Sequence, residues 1–551
     1  MKLPRREAAL AIAGFALSGC TKAGTGTVSG ESTAAGSRHP YTIPHTLRYT
    51  TAQDINSLNP YLLQDFTLGL LSQLTMAWLV RYDAQNRAIP ELATEVPSLD
   101  NGGISKDGTT ITFKLRKGVV WSDGAPFTAR DVVFSYKQVM NPANNIVSRS
   151  GWDLITHIQT PDDHTAVFHL KEPYSSFLPT FFASAGANPC ILPEHLLRGV
   201  PNINNIPYNS KPIGIGPFKY LSWQRGAQIE LVANDSYWRG KPKLQKIVFK
   251  IIPDRNTAMT QLQTHEVDMW FPIGGAYMVR LKDAPGMKLI RKPSYFFNHF
   301  DFNLSHPIFA EHAVREAIRY SINREEIREK IAHGVGIIQE SMIPPVHPDY
   351  DPNIKTVPFD LTKANALLDG AGWARGSDGL RAKNGKRLVV EFASSAGTPD
   401  VDSQLELIRS WWKQVGIGLD VHRYVAPLLF GPYASGGIIY TGKFDVVAFA
   451  WLNNVNGDFR NLYASNQIPP QGQNVLRYRN PIVDNAIAEF QRSYDPAKQK
   501  ELSWVVQEQV VKDVPTIVTS VREDIYAFND DLRDFHPNAV TPFDDMLNVD
   551  I

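Results

Sequence analysis

After the turn at Asp107-Gly108, Ile111, Phe113 and Leu115 alternate with Thr112, Lys114 and Arg116, the period-two pattern of a half-buried strand. A second turn, Asp123-Gly124 with Pro126, leads to Thr128, placed where a helix cap belongs. Asp131 follows three residues later, beside the positive end of the helix dipole, and Val132, Val133 and Phe134 are the expected buried face. Further along, Val314, Ala317, Ile318 and Ile322 recur at helical spacing, and Asn323 with Glu326 has the form of a capping box. Another helix is expected from Asp360, with Ala364, Leu367, Leu368 and Ala371 on one face and Gly372 as its stop. Leu405, Ile408, Trp412 and Val415 mark the next, stopped by Gly416 and followed by a strand through Leu419 and Val421. Phe444 to Ala450 is apolar enough for a strand buried on both faces. Asn480-Pro481 and Asp495-Pro496 each put a cap before a proline at the first helical position, ahead of a closing strand near 515–528. Helices and strands in this repeating order predict an α/β arrangement with some parallel sheet.

The start of the chain has a different pattern. Lys2, Arg5 and Arg6 precede an apolar run from Ala8 to Gly19 that is too short to span a bilayer and has the shape of an export signal. Arg5-Arg6 leaves open whether export uses the general or the twin-arginine route. Residues 21–38 are Gly, Ser, Thr and Ala with almost no large apolar side chain, so they read as a flexible tether, and folded protein is expected from near Tyr41.

The ~510 residues that remain are too many for one simple core. With 56 Lys plus Arg against 55 Asp plus Glu, the chain has no electrostatic footprint for nucleic acid. Of the 2 cysteines, Cys190 is the one beyond the export signal, so no internal disulfide is expected and stability must come from the core. There is no HExxH, GxSxG, CxxC, P-loop or complete GxGxxG, and the histidines are scattered. No enzyme, metal site or cofactor is expected. Asp162-Asp163 reads as a solvated turn.

Several of these stretches also carry a family resemblance. Ser105 to Tyr136 resembles the signature of the extracellular solute-binding proteins that feed peptide-type ABC importers: a DG turn, a TFKLR-like strand, a DG-x-P-x-T-A loop and a DVVFS helix. Leu47 to Pro60 and Leu79 to Val96 are similar to the opening of that family, with Trp78 where a small or acidic residue is usual. Ile213 to Phe218 resembles its G-T-G-P-aromatic segment with Ile215 in the Thr place, Asn234 to Pro242 its N-x-x-Y-W-x-G-K-P loop, and Glu266-Val267-Asp268 its G-E-V-D turn with His265 replacing Gly. Leu17-Ser18-Gly19-Cys20 resembles a bacterial lipobox, in which Cys20 would carry the lipid; several acyl chains at roughly 0.8 kcal/mol per buried CH₂ would hold it durably.

The resemblance implies a two-lobed α/β fold of the periplasmic-binding-protein kind, class II-like and of the large peptide-binding type, with a ligand cleft between the lobes. It implies a signal peptide at 1–20, a tether at 21–40, a first lobe at 41–304 with a small inserted domain at about 88–208, a second lobe at 305–520 and a return to the first lobe at 521–551. It further implies an exported monomer, periplasmic or at the cell surface, anchored to a bacterial membrane by its lipid, that hands a small molecule or peptide to the transmembrane subunits of an ABC permease.

For the ligand, Phe444 to Leu462 is the informative stretch. It delivers Trp451 and a polar loop to the end of a strand, where open α/β sheets place ligands. In the peptide-binding branch an aspartate three residues after the equivalent Trp pairs with the peptide ammonium; here that residue is Asn454. A buried ammonium without a counter-charge costs several kcal/mol, so Asp458 is the expected substitute. Alternatively, the Asn454 amide with Asn453, Asn456 and an aromatic neighbour suits an oligosaccharide or another neutral solute. By position in the family fold, the loop from Gln53 to Asn59 borders the cleft from the first lobe, Asn298 and Phe300 lie beside the hinge, and Arg460 is available to a carboxylate. An exported hydrolase is the alternative of another class, and the missing motifs count against it.

Overall fold

Among the described residues, ten strands form one mixed sheet that runs through residues 41–551. The structure is a computed structural model of the 551-residue chain and describes residues 38–551 except Gln53, Gln64, Val147, Ser148, 185–188 and Thr398. The export signal, Cys20 and nearly all of the tether lie outside the described residues. In chain order the strands are β1 (Thr46–Thr51), β2 (Phe218–Gln224), β3 (Gln228–Ala233), β4 (Lys246–Ile251), β5 (Met269–Trp270), β6 (Met287–Phe302), β7 (Val389–Ser395), β8 (Gly418–Tyr424), β9 (Val446–Leu452) and β10 (Thr516–Asn529). Across the sheet they run β8, β7, β9, β6, β10, β5, β1, β4, β3, β2.

Two long strands carry the sheet from one half to the other. β6 and β10 pair antiparallel from Met287–Asn529 at one end to Asp301–Thr516 at the other. The apolar cores change along them. Tyr295 and Tyr526 pack with Leu47, Phe113 and Ile551, whereas Phe300 and Ile517 pack with Phe392 and Trp412. Phe297, between them, joins a third cluster with Val483 and Phe490. Buried side chains of this size contribute about 1.5–3 kcal/mol each. The fold is thus a mixed α/β, two-lobed arrangement in which the central pair of strands belongs to both halves.

Local signals account for most of the helices. The Thr128 N–H donates to Asp131 Oδ2 over 2.8 Å at the head of the helix Ala129–Met140. The other Asp131 oxygen accepts the Glu194 N–H over 2.9 Å, and Ser135 Oγ accepts the Leu192 N–H over 2.7 Å. One turn of helix therefore also fixes a segment some sixty residues later. Val133 departs from expectation: it is half-buried, because that helix face buries Val132, Ser135 and Val139 instead. Asn323, Asp360, Asn480 and Asp495 cap Arg324–Lys330, Leu361–Gly370, Pro481–Arg492 and Pro496–Asp513 through their side-chain oxygens. Pro399–Val415 stops before Gly416, whose φ of 79° is left-handed.

The motif residues serve packing. Asp268, fully buried, accepts Arg48 Nε and Nη2 over 2.7 Å each and the Arg48 N–H over 2.9 Å, which ties β1 to the turn before β5. The Arg116 guanidinium lies 4.4 Å from the Trp238 ring, joining the signature strand to the Y-W loop. Trp78 is buried, and its N–H donates to Glu91 Oε2 over 2.9 Å.

The strand expected at Phe444–Ala450 forms two residues later, as β9, and only Val446 and Val447 are buried on both faces. The reason is pairing. β9 pairs with β6 from Val446 to Leu452 but with β7 only at Val446 and Val447. Ala448 to Leu452 are therefore left with one open edge.

Candidate functional site

Two cavities meet at the centre of the sheet. One, of about 440 Å³, is lined by Ala448–Ala450 of β9 together with Asn298, Ser520, Arg522 and Gly274. The other, of about 330 Å³, lies among Thr51, Phe66 and Phe271, with Phe296, Arg522 and Asp524 beneath. Arg522 lines both. Each falls within the ~300–1,000 Å³ range of ligand sites. A third cavity, of about 170 Å³, lies between Tyr174–Thr180 and Asn454–Asn461, and is below that range.

The residues expected from the sequence fall into separate groups. Asn298 and Phe300 face the 440 Å³ cavity from β6. Asn298 Nδ2 donates to Ser520 Oγ over 3.1 Å, and the Phe300 ring is also a core group, 5.1 Å from Phe392. Trp451 pairs with Phe297 across the ladder, so it stands on the opposite sheet face from Asn298 and Ala450. It packs 5.7 Å from Phe449 and lines a pocket of about 40 Å³ with Asn453, Asn454 and Asp458. Arg460 lines the 170 Å³ cavity beside Asp458. Gln53 lies outside the described residues.

The hydrogen bonds show what the polar loop is doing. Asn453 is buried, and its Nδ2 donates to the Tyr295 carbonyl over 3.1 Å and the Met342 carbonyl over 2.6 Å, so both of its N–H groups are engaged by main chain. Asn454 is exposed; its Nδ2 donates to the Asp458 carbonyl over 3.0 Å. Asp458 Oδ2 accepts Ser176 Oγ over 2.7 Å and Gln491 Nε2 over 3.2 Å, and Oδ1 accepts the Arg460 N–H over 2.9 Å. Its carboxylate is thus already held by three donors. Gly457, with φ of 61°, makes the tight turn between them; a Cβ there would sit 2.4 Å from Asp349 Oδ2.

Against the loop lie His347, which is buried, and Asp349, which is half-buried. Burial pushes His347 down to about 4, and its Nε2 lies 3.1 Å from the Asn454 carbonyl. Its Nδ1 accepts the Asp349 N–H over 2.9 Å, which sets the neutral tautomer with the proton on Nε2. Burial pushes Asp349 up to about 6.

Sequence reasoning missed Arg522 and Asp524. They alternate on β10 with Val521, Glu523 and Ile525, so they share one sheet face, and both line the 330 Å³ cavity. The Arg522 guanidinium lies 5.2 Å from the Phe296 ring. Among the described residues, Arg522 makes no ion pair, whereas Glu523, which also lines the 440 Å³ cavity, pairs with Arg291. Period-two alternation in the closing strand was the available signal, but it does not say which face meets a cavity.

Comparisons with known proteins fit this geometry. The family model for bacterial extracellular solute-binding proteins, family 5 (middle), matches residues 87–471. Protein XP55 of Streptomyces lividans is 29% identical over 445 residues, 79% of this chain and 76% of that protein. The oligopeptide-binding protein AppA of Bacillus subtilis is 25% identical over 451 residues, 81% of this chain and 80% of that one. Its structure in complex with a nonapeptide matches with a TM-score of 0.76 at 22% identity, covering 92% of this chain and 98% of the other. NikZ of Campylobacter jejuni, solved in complex with Ni(L-His), matches with a TM-score of 0.77 at 24% identity, covering 92% of this chain and 99% of the other.

Proposed function

The chain belongs to family 5 of the bacterial extracellular solute-binding proteins, and from that premise we propose that it captures short peptides between its lobes, closes on them, and delivers them to the transmembrane subunits of an ABC importer. One observation carries the peptide reading: the open edge of β9 along Ala448–Leu452, beside a cavity of about 440 Å³. An unpaired edge offers N–H and C=O groups at strand spacing, and an extended peptide satisfies them whatever its side chains. The name of the relative AppA, an oligopeptide-binding protein, points the same way.

In this reading the lobes are 41–304 with 521–551, and 305–520, with 88–208 as a small domain on the first. β6 and β10 are the hinge, and the lobes close by rigid-body motion. The protein is a non-catalytic monomer, exported and held to a bacterial membrane by lipid on Cys20. Among the described residues no helix is long and apolar enough to cross a membrane. An affinity on the order of micromolar, about −8 kcal/mol, suits capture followed by release.

Native mass spectrometry of the protein purified from cells, followed by a thermal-shift panel of peptides and oligosaccharides, tests the proposal, because a ligand bound only to the folded state raises the melting temperature. Stabilisation by peptides is the expected result. Stabilisation by oligosaccharides alone overturns the peptide reading and leaves the fold to another cargo, and turnover of a broad hydrolase substrate panel overturns the non-catalytic one.

A further inference from the structure

Deepening the peptide reading above, and resting on it, we infer that the 330 Å³ cavity is a side-chain pocket that selects peptides carrying a tyrosine or a tryptophan. It lies at the carboxyl ends of the parallel strands β1, β4 and β5, where Thr51 ends the first, Ile252 follows the second and Trp270 ends the third. Phe66, Trp270, Phe271 and Phe296 line it, from the start of a helix, from β5, from the segment after β5 and from β6. Packing sets two of these rings in place before any ligand arrives. Phe271 stacks on Tyr526 at 3.8 Å and its carbonyl accepts the Tyr49 hydroxyl over 2.6 Å, while Trp270 meets Tyr277 edge-on at 5.0 Å. Rings attract one another in offset and edge-to-face arrangements that an aliphatic side chain cannot make, so walls of this composition favour an aromatic guest.

Size, charge and one hydroxyl narrow the guest further. An apolar cavity of about 150 Å³ holds benzene, so about 330 Å³ admits an indole as well as a phenol. The charged groups on the wall are engaged or solvated. Asp524 lies against Ser294 and Arg522, and the Arg522 guanidinium is 5.2 Å from the Phe296 ring. Asp65 caps the helix Phe66–Thr75, its side chain accepting the Leu68 N–H over 3.1 Å, and Arg255 is exposed. A charged guest side chain therefore finds no buried, uncommitted partner there. Thr50, by contrast, lines the cavity at 1% exposure with its hydroxyl unpartnered. A buried hydroxyl left in that state is costly, and a phenol O–H or an indole N–H supplies a donor for it. Phe66 is 44% exposed and 5.5 Å from Phe271, so a guest ring beside that pair would also cover an apolar surface now open to water.

Calorimetric titration of the full chain with Ala-Tyr-Ala, Ala-Trp-Ala, Ala-Phe-Ala, Ala-Leu-Ala and Ala-Lys-Ala, and with pentapeptides carrying the same central residues, tests the assignment. The tyrosine and tryptophan peptides are expected to bind at least tenfold tighter than the leucine and lysine peptides of the same length, with phenylalanine between them. Thr50→Val should bring the tyrosine peptide down to the phenylalanine one, and Phe66→Ala should narrow the gap between tyrosine and leucine. Leucine or lysine peptides binding as tightly as tyrosine ones would overturn the pocket while leaving peptide capture standing, and that comparison needs no variant to fold. Equal affinities for the tyrosine and phenylalanine peptides would overturn the part given to Thr50. Failure of every peptide to bind would overturn the function proposed above together with the pocket.

Discussion

Ser176 Oγ donates to Asp458 Oδ2 over 2.7 Å, a bond between positions 282 residues apart in sequence. Gln491 joins the same carboxylate, so three distant segments meet on one half-buried acid. Hydrogen bonds to a charged group are worth about 1.5–3 kcal/mol. In the proposed cycle this is a contact of the closed arrangement. Ser176→Ala is expected to speed ligand release several-fold, with little change in the rate of binding. Stopped-flow dissociation reads this, and an unchanged release rate would remove the bond from closure.

Trp451 sits on the open-edged strand, packed against Phe449 and above the loop that Asp458 holds. Trp451→Ala is expected to weaken peptide binding at least tenfold without unfolding the chain. Calorimetry together with far-ultraviolet circular dichroism decides it; full affinity in a folded variant would exclude the residue from the site.

Cys20 carries the anchoring proposal. Cys20→Ala should leave ligand affinity intact and move the protein from the membrane to the soluble fraction. Retention of the variant in the membrane pellet would mean that something other than the lipobox cysteine holds it.

Glu91 and Asp544 give the fold a pH dependence of definite sign. Burial, with the neighbouring Asp544 carboxylate, pushes Glu91 up to about 8, and burial pushes Asp544 up to about 6. Both values lie above the ordinary carboxylate range of about 4. The folded state therefore keeps protons that the unfolded chain has already lost. Their contribution is complete below about pH 4 and is lost as pH rises through 6 and then 8. Glu91→Gln keeps an acceptor for the Trp78 N–H and cannot ionise. The variant should melt close to the wild type at pH 5 and several degrees above it at pH 8.5. Equal melting temperatures at pH 8.5 would show that Glu91 does not titrate there.

What was legible in the sequence was local. Asn480-Pro481 and Asp495-Pro496 each specify a helix start through two adjacent side chains, and Gly416 specifies a stop through its own φ. The signature around Asp131 marked a capped helix for the same reason. The candidate site was less legible because its meaning depends on distant partners. Asp458 looks like a free counter-charge until Ser176 and Gln491 arrive from elsewhere in the chain. Asn453 looks like a ligand amide until the Tyr295 and Met342 carbonyls engage it. Trp451 and Asn298 read as one group, yet the register of β6 against β9 sets them on opposite faces. Arg522 and Asp524 gain significance only when β10 is laid beside β6 and β5.

The ladder between β6 and β10 is interrupted at two places, between Pro293 and Phe297 and between Asn298 and His299. A bulge is where a paired ribbon twists most readily without losing its other bonds. In the proposed closing motion these interruptions act as the compliant section of a torsion bar. The rest of the ribbon stays rigid, and a peptide that grips both halves does its mechanical work on a few residues directly beneath it. Substitutions that regularise the ribbon there would stiffen the whole molecule and change how much of the ligand's binding energy is spent on turning it.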